Sequence, residues 1–111
     1  VYFGDNCVVH VYDKLIIGSG SVFSWNVSIL DGDGHTLETN KKINSATGIT
    51  IGKNVWVGNN VIILKGVNIG EGSVIGAGSV VTHSIPPHSL AVGNPAKVIK
   101  TNVKWDYGYK F

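Results

Sequence analysis

Between residues 51 and 86 the chain repeats every six residues, and that period admits few folds. Aliphatic side chains recur without a miss at Ile51, Val57, Ile63, Ile69, Ile75 and Val81. Four residues after each stands Val55, Val61, Val67, Ser73, Ser79 and Ile85, always small or β-branched. Glycine follows the aliphatic at Gly52, Gly58, Gly70 and Gly76, with Leu64 and Thr82 as the exceptions. A period of six matches neither the roughly 3.6 of a helix nor the roughly 2 of one long strand. It matches a solenoid in which each six residues form a short strand and a turn, the hexapeptide form of the parallel β-helix. The alternative is a sandwich of short strands, but such strands rarely keep phase over so many repeats.

The physics of an all-β coil of this kind follows from the letters. Three sixes make one triangular turn of about eighteen residues, and successive turns pair as parallel strands roughly 4.8 Å apart. Residues one turn apart then stack: Ile51 under Ile69, Val57 under Ile75, and Ile63 under Val81. β-Branched side chains suit that extended, crowded interior. Gly52 and its equivalents are expected to supply permissive backbone near the corners. Asn59 and Asn60 are expected to help, because asparagine tolerates left-handed dihedrals.

The first half follows the same grammar more loosely. Ile17-Gly18, Phe23 and Ile29 are six apart, with Ser21, Val27 and Asp33 four after each, which predicts a further turn over residues 17–34. Before it, Phe3-Gly4 and Val9 keep the spacing but Ile17 arrives two residues late, so the segment His10–Leu15 is expected to absorb the shift. From residue 35 to residue 50 the pattern stops, and the polar HTLETNKKINSATGIT reads as a loop thrown out from the coil. Loops of that length are uncommon in compact domains and usually functional. Beyond Ile85, Pro87 takes the place of a seventh aliphatic, and Leu90, Ala91 and Val92 are read as a last edge strand. The aromatic-rich tail, residues 100–111, is expected to cap the open end, where a strand edge would otherwise stand unpaired.

Composition narrows the class. The 111 residues make one domain, and a solenoid needs only its axial stack as a core. Charged residues are 14%, every basic residue is lysine, and the net charge is +2. That balance, with no basic and aromatic cluster, argues against a nucleic-acid partner. No apolar run approaches the ~18 residues of a membrane span, and no signal peptide is visible. The single Cys7 cannot close an internal disulfide and reads as a small core residue, suited to a reducing, cytoplasmic setting. The chain opens on VYFGDN, already strand-like, which leaves room for an upstream portion.

At the mouth of the loop, SWNVSILDGDGH sets Asp31, Asp33 and His35 on alternate positions. A histidine near neutral pKa can take a proton from a hydroxyl, and a neighbouring carboxylate can orient it. The bare pattern is open to three readings: a general base, a metal site, or a polar turn.

ITIGKNVWVG, VIGAGSVVT and IPPHSLAVGNPAKVI, taken with the run Ile17–His35, resemble the hexapeptide-repeat acyltransferases. The likeness is to galactoside, maltose, xenobiotic and polysaccharide O-acetyltransferases, and it covers residues 3–100. It implies a left-handed parallel β-helix, although general rules favour right-handed crossovers. It also implies acetyl-CoA as acyl donor, a homotrimer, and no metal. Carried over residue by residue, His35 matches the general base and Asn6 an asparagine that bonds the acceptor sugar, with Asp33 beside the base on the acceptor side. Trp56 matches a wall of the acetyl-CoA cleft, and Asn59 and Ala77 match backbone contacts to the pantetheine arm. Thr82 and His83 match contacts further along the donor, with His83 standing where the family often has lysine. Lys97 and Lys100 match basic residues near the donor phosphates.

Alternation with inward Val55 and Val57 turns Trp56 outward, and in the same register Trp25 faces out as a subunit-interface residue. His83 and His88 are five apart, a spacing also used by β-helix carbonic anhydrases, but they flank the Ile85-Pro86-Pro87 corner and read as surface residues. The function expected is O-acetylation of a sugar or saccharide-like hydroxyl by direct transfer in a ternary complex. The competing readings are N-acetylation of amino sugars, antibiotic O-acetylation, a γ-type carbonic anhydrase, and an assembly module without chemistry.

Overall fold

The computed structural model describes residues 1–32 and 47–106. Its strands are short and wind in coils. The first coil carries β1 (Tyr2–Phe3), β2 (Val8–His10) and β3 (Leu15–Ile17), and the second β4 (Val22–Phe23), β5 (Ser28–Leu30) and β6 (Ile49–Ile51). The third carries β7 (Trp56–Val57), β8 (Ile62–Ile63) and β9 (Asn68–Ile69). The fourth carries β10 (Val74–Ile75) and β11 (Val80–Val81), and β12 (Leu90–Gly93) and β13 (Ala96–Lys100) follow. Strands of successive coils pair in parallel to form three faces of a prism. The first face runs β1-β4-β7-β10-β12-β13, the second β2-β5-β8-β11, and the third β3-β6-β9.

The expected stacking register is present. Ile51 pairs with Ile69, Val57 with Ile75, and Ile63 with Val81. These side chains are buried and form one core with Val55, Val61 and Val67. Where serine replaces valine in the small column, its hydroxyl links coils. Ser21 Oγ donates to Gly52 O at 2.8 Å and accepts from Val55 N–H, while Ser73 Oγ donates to Pro86 O at 2.7 Å. Buried hydroxyls stabilise a core only when paired, and no buried side-chain polar atom among the described residues lacks a partner.

The corners separate two roles that the sequence merged. Left-handed dihedrals fall at Asn54, Asn60, Gly72 and Gly78, and not at Gly52 or Asn59. Gly52 is required by proximity instead: a Cβ there would come within 2.8 Å of the Glu71 backbone nitrogen in the next coil. The expectation of permissive backbone at Gly52 is therefore corrected, since coil spacing excludes a side chain there whatever the dihedral.

The early shift also has a visible cause. Tyr2 pairs with Val22, twenty residues on, where Trp56 pairs with Val74, eighteen on. The extra residues bulge out after β2 and are held by the buried Asp31. Its carboxylate accepts from the N–H groups of Tyr12, Asp13 and Lys14 at 2.6, 2.8 and 2.8 Å. The polar insertion leaves at Gly32, and the chain is back at Thr47, whose N–H donates to Asp31 O at 2.6 Å. The expected loop boundary of residue 50 is thus too late, because Ile49 and Thr50 already pair with Leu15 and Ile16 in β6–β3.

Two corrections concern the C-terminal end. Ile85, not Pro87, fills the aliphatic place, bridging Ile69 only sixteen residues before it. The corner there is two residues shorter, with Ser84 Oγ accepting from Asn68 N–H. The last coil strand, β12, is not an edge either, since β13 pairs with it antiparallel. Residues 101–106 then run back down the flank: Val103 N–H donates to His88 O, and Trp105 Nε1–H to Asn54 O at 2.7 Å. Ile75 lies in the middle of the stack, fully buried between Val57 and Ala91. Ile75→Ala is expected to cost about 2–5 kcal/mol, read as a lower urea midpoint at unchanged slope.

Candidate active site

A coil one side chain wide has no interior cavity, so any site lies on its faces and edges. On the first face a groove of about 670 Å³ runs between the edge shared with the second face and the returning tail. Trp56, Asn59, Ala77 and Lys100 all line it, so four of the seven residues expected around the donor come together. The strand β7 turns Trp56 outward, and the ring is 42% exposed. Asn59 and Ala77 occupy the same corner one coil apart, where Gly78 N–H donates to Asn59 O at 2.9 Å. Gly58 lies on the groove floor because a Cβ there would approach Ala77 N to 2.7 Å.

A second groove of about 420 Å³ adjoins it further down the same edge. Asn6, in a left-handed corner, lines it together with Asp5 and Tyr2. Ser24 and Trp25 line both grooves, so donor and acceptor candidates share one wall. Trp25 was read from sequence as an interface residue; it is 54% exposed and borders both spaces.

The other expected residues lie elsewhere. Thr82 and His83 sit on the edge between the second and third faces, Thr82 Oγ1 being 2.8 Å from His83 Nδ1. Lys97 pairs with Val92 in the hairpin, outside the lining of either groove. His88 lies on the third edge, in a left-handed conformation (φ 52°). His83 and His88 are therefore on different edges, and among the described residues of one chain they do not converge on one ion. Asp33 and His35 lie outside the described residues. Asp31 immediately precedes them, on the same edge as Thr82.

Asp31 has an architectural role. Burial alone would push its carboxyl pKa up, but the N–H donors of Tyr12, Asp13 and Lys14 outweigh that and hold it below the usual carboxylate value. Three of its acceptor positions are thus committed to the first coil. Sequence reading missed Val103, Lys104 and Trp105, which wall the first groove. The only available signal was the aromatic content of the tail.

Residues 48–83 match the family model for the bacterial transferase hexapeptide, six repeats. The coil belongs to that family. Its handedness is that of the family, a left-handed parallel β-helix. The chain is 47% identical over 100 residues to a polysialic acid O-acetyltransferase of Escherichia coli O1:K1, covering 86% of this chain and 33% of that one. Among solved structures it superposes with a TM-score of 0.85 and 40% identity on the polysialic-acid-specific acetyltransferase NeuO. That match covers 100% of this chain and 52% of the other. A maltose O-acetyltransferase from Clostridium difficile 630 is 37% identical with a TM-score of 0.72, over 90% of this chain and 64% of its own. The chain spans 31–48% of the length of the curated relatives it matches.

The depressed pKa of Asp31 fixes the sign of a pH effect. A carboxylate with a lowered folded-state pKa contributes stability that is present above the unfolded value of 3.8 and lost as pH falls through the folded one. Thermal melts should show that loss in acid. Asp31→Asn should lower stability at neutral pH by about 1–3 kcal/mol, since an amide cannot accept all three N–H groups, and should remove that acid step.

Proposed function

We propose that this chain is the β-helix portion of an acetyl-CoA-dependent O-acetyltransferase acting on a saccharide hydroxyl. One observation carries the reading. The candidate residues divide between two edges of the prism: Asn6, Trp25, Asn59 and Ala77 on one, Thr82, His83 and the root of the His35 loop on the next. A ligand touching both sets spans two copies, with the groove edge of one facing the loop edge of its neighbour. Three coils around a three-fold axis satisfy this with three equivalent sites. The polysialic acid and maltose named for the related enzymes support a saccharide acceptor. A cytoplasmic setting follows from the need for acetyl-CoA.

In this reading the donor lies along the first-face groove and the acceptor over Asn6 and Trp25. His35 takes the hydroxyl proton as the oxygen attacks the thioester carbonyl. The C–S bond breaks from the tetrahedral intermediate, and the proton passes from His35 to the departing thiolate. Backbone N–H groups at the corner stabilise the oxyanion. Cys7 Sγ donates to Ser24 O at 3.1 Å and packs on the core, so no acyl-enzyme through it is invoked.

His35→Ala should lower kcat by about 10²–10⁴-fold, the usual range for general-base assistance, with acetyl-CoA binding retained. The low-pH limb of the rate profile should vanish with it. Near-wild-type turnover in this variant would remove His35 from the mechanism. Light scattering should return a trimer, and a monomer with full activity would be incompatible with a site shared between copies.

A further inference from the structure

The hairpin and tail do more than follow the coil. In β12–β13 the pairing runs Gly93↔Ala96, Val92↔Lys97 and Ala91↔Val98, then shifts so that Lys100 faces Leu90. Without the shift Ile99 would stand opposite Leu90, which lies on the groove floor. The bulge leaves Ile99 out at 60% exposure and puts a cation on the groove rim instead. Bulges re-aim side chains in this way and mark sites more often than chance. Three residues on, the chain is pinned again. Val103 N–H donates to His88 O at 2.9 Å, Trp105 Nε1–H to Asn54 O at 2.7 Å, and the Trp105 ring lies 5.9 Å from that of Trp56. Between these pins Lys104 lines the same groove as Lys100. Trp25, Trp56 and Trp105, all the tryptophans of the chain, thus border one groove with two lysines on its rim.

We propose that Lys104 is a second binding residue for the phosphate-bearing part of the acyl donor, and that Trp105 is the positioning residue that holds it there. This rests on the donor reading above. Trp105 acts through its two anchors: the N–H to Asn54 fixes the backbone, and the contact with Trp56 fixes the wall. The pair Lys100 and Lys104 then presents two positive charges along one side of an apolar, aromatic trough. That chemistry suits a ligand with an extended apolar arm and several phosphate charges.

The test is CoA binding to the full chain by calorimetry, at low salt and near 1 M salt, with melting temperature as the fold control. Lys104→Gln and Trp105→Ala should each weaken CoA by up to about fivefold at low salt, the upper range of one partly exposed ion contact. Near 1 M salt, where the screening length falls to about 3 Å, both should approach wild type. Trp105→Phe, which keeps a ring on Trp56 but loses the N–H, should fall between wild type and Trp105→Ala. Wild-type affinity in Trp105→Ala at low salt would overturn the proposal while leaving the donor reading intact. A loss that persists undiminished at high salt would make Trp105 a wall of the groove only, and would overturn the charge-positioning role. No CoA binding by the wild type at any salt would overturn both readings.

Discussion

Each coil is bound to the next by a backbone ladder, and the spacing of that ladder governs the rest of the molecule. Gly18 N–H donates to Ile51 O, Gly52 N–H to Ile69 O, and Gly70 N–H to Ile85 O, at 2.7–2.8 Å down one edge. At that separation a Cβ on Gly52 or Gly58 would strike the backbone of the following coil. Gly58 and Gly76 thus leave bare backbone beside Asn59 and Ala77 along that corner, one held bare by the next coil's backbone and the other by the Val92 side chain. The groove floor is therefore a by-product of coil packing: the residues that let the coils close also leave backbone open to a ligand arm. Parallel pairing gains little per residue on its own, so the buried column of Val57, Ile75 and Ala91 beneath it supplies the apolar stabilisation.

The molecule's relief arises where the repeat departs from its period. The first departure is the excursion after β2, fastened by Asp31, which places the root of the insertion at a fixed corner. The second is the insertion itself, whose stems meet through Thr47 N–H and Asp31 O. The third is the short corner before Ile85, which brings His88 into register above Glu71, with His88 N–H donating to Glu71 O at 2.8 Å. His88 in turn receives the tail through Val103. The fourth is the bulge at Ile99. A perfect hexapeptide coil would be a featureless prism; these four irregularities give it walls.

Those irregularities were the least legible part of the sequence. The register of residues 51–81 could be read outright, because alternation and period are local properties that one strand displays by itself. Asp31 could not, since its three partners lie in the preceding coil and nothing in LDGDGH signals them. Its spacing to His35 says nothing of the three backbone groups that its carboxylate holds. Pro87 in the aliphatic phase hid the two-residue contraction that lets Ile85 serve instead. Gly52 and Asn60 read alike as corner residues, yet one answers to proximity and the other to dihedral angle. The groove was legible only in part: Trp56 follows from outward register and Asn59 and Ala77 from the family likeness, whereas Trp105 reaches it from a tail with no periodicity.

A solenoid meets the problem of catalysis differently from a globular domain. Its core is filled by one side chain from each face, so it cannot enclose a substrate, and a single face offers contact from one side only. Excluding water from a developing charge then requires a second surface. On the first face, part of that surface is intramolecular: the tail, from Lys100 to Trp105, rises opposite the Asn59–Ala77 corner and turns a flat sheet into a trough. Along the Asn6–Trp25 stretch no segment of the described chain plays the same part, and two of the rings there, Tyr2 and Trp25, stand mostly exposed. The first-face groove is thus walled largely by one chain, and the space over Asn6 and Trp25 is left open on the edge. Closing that stretch takes a surface from outside the described chain, which is the geometric reason the proposed shared site needs a second copy.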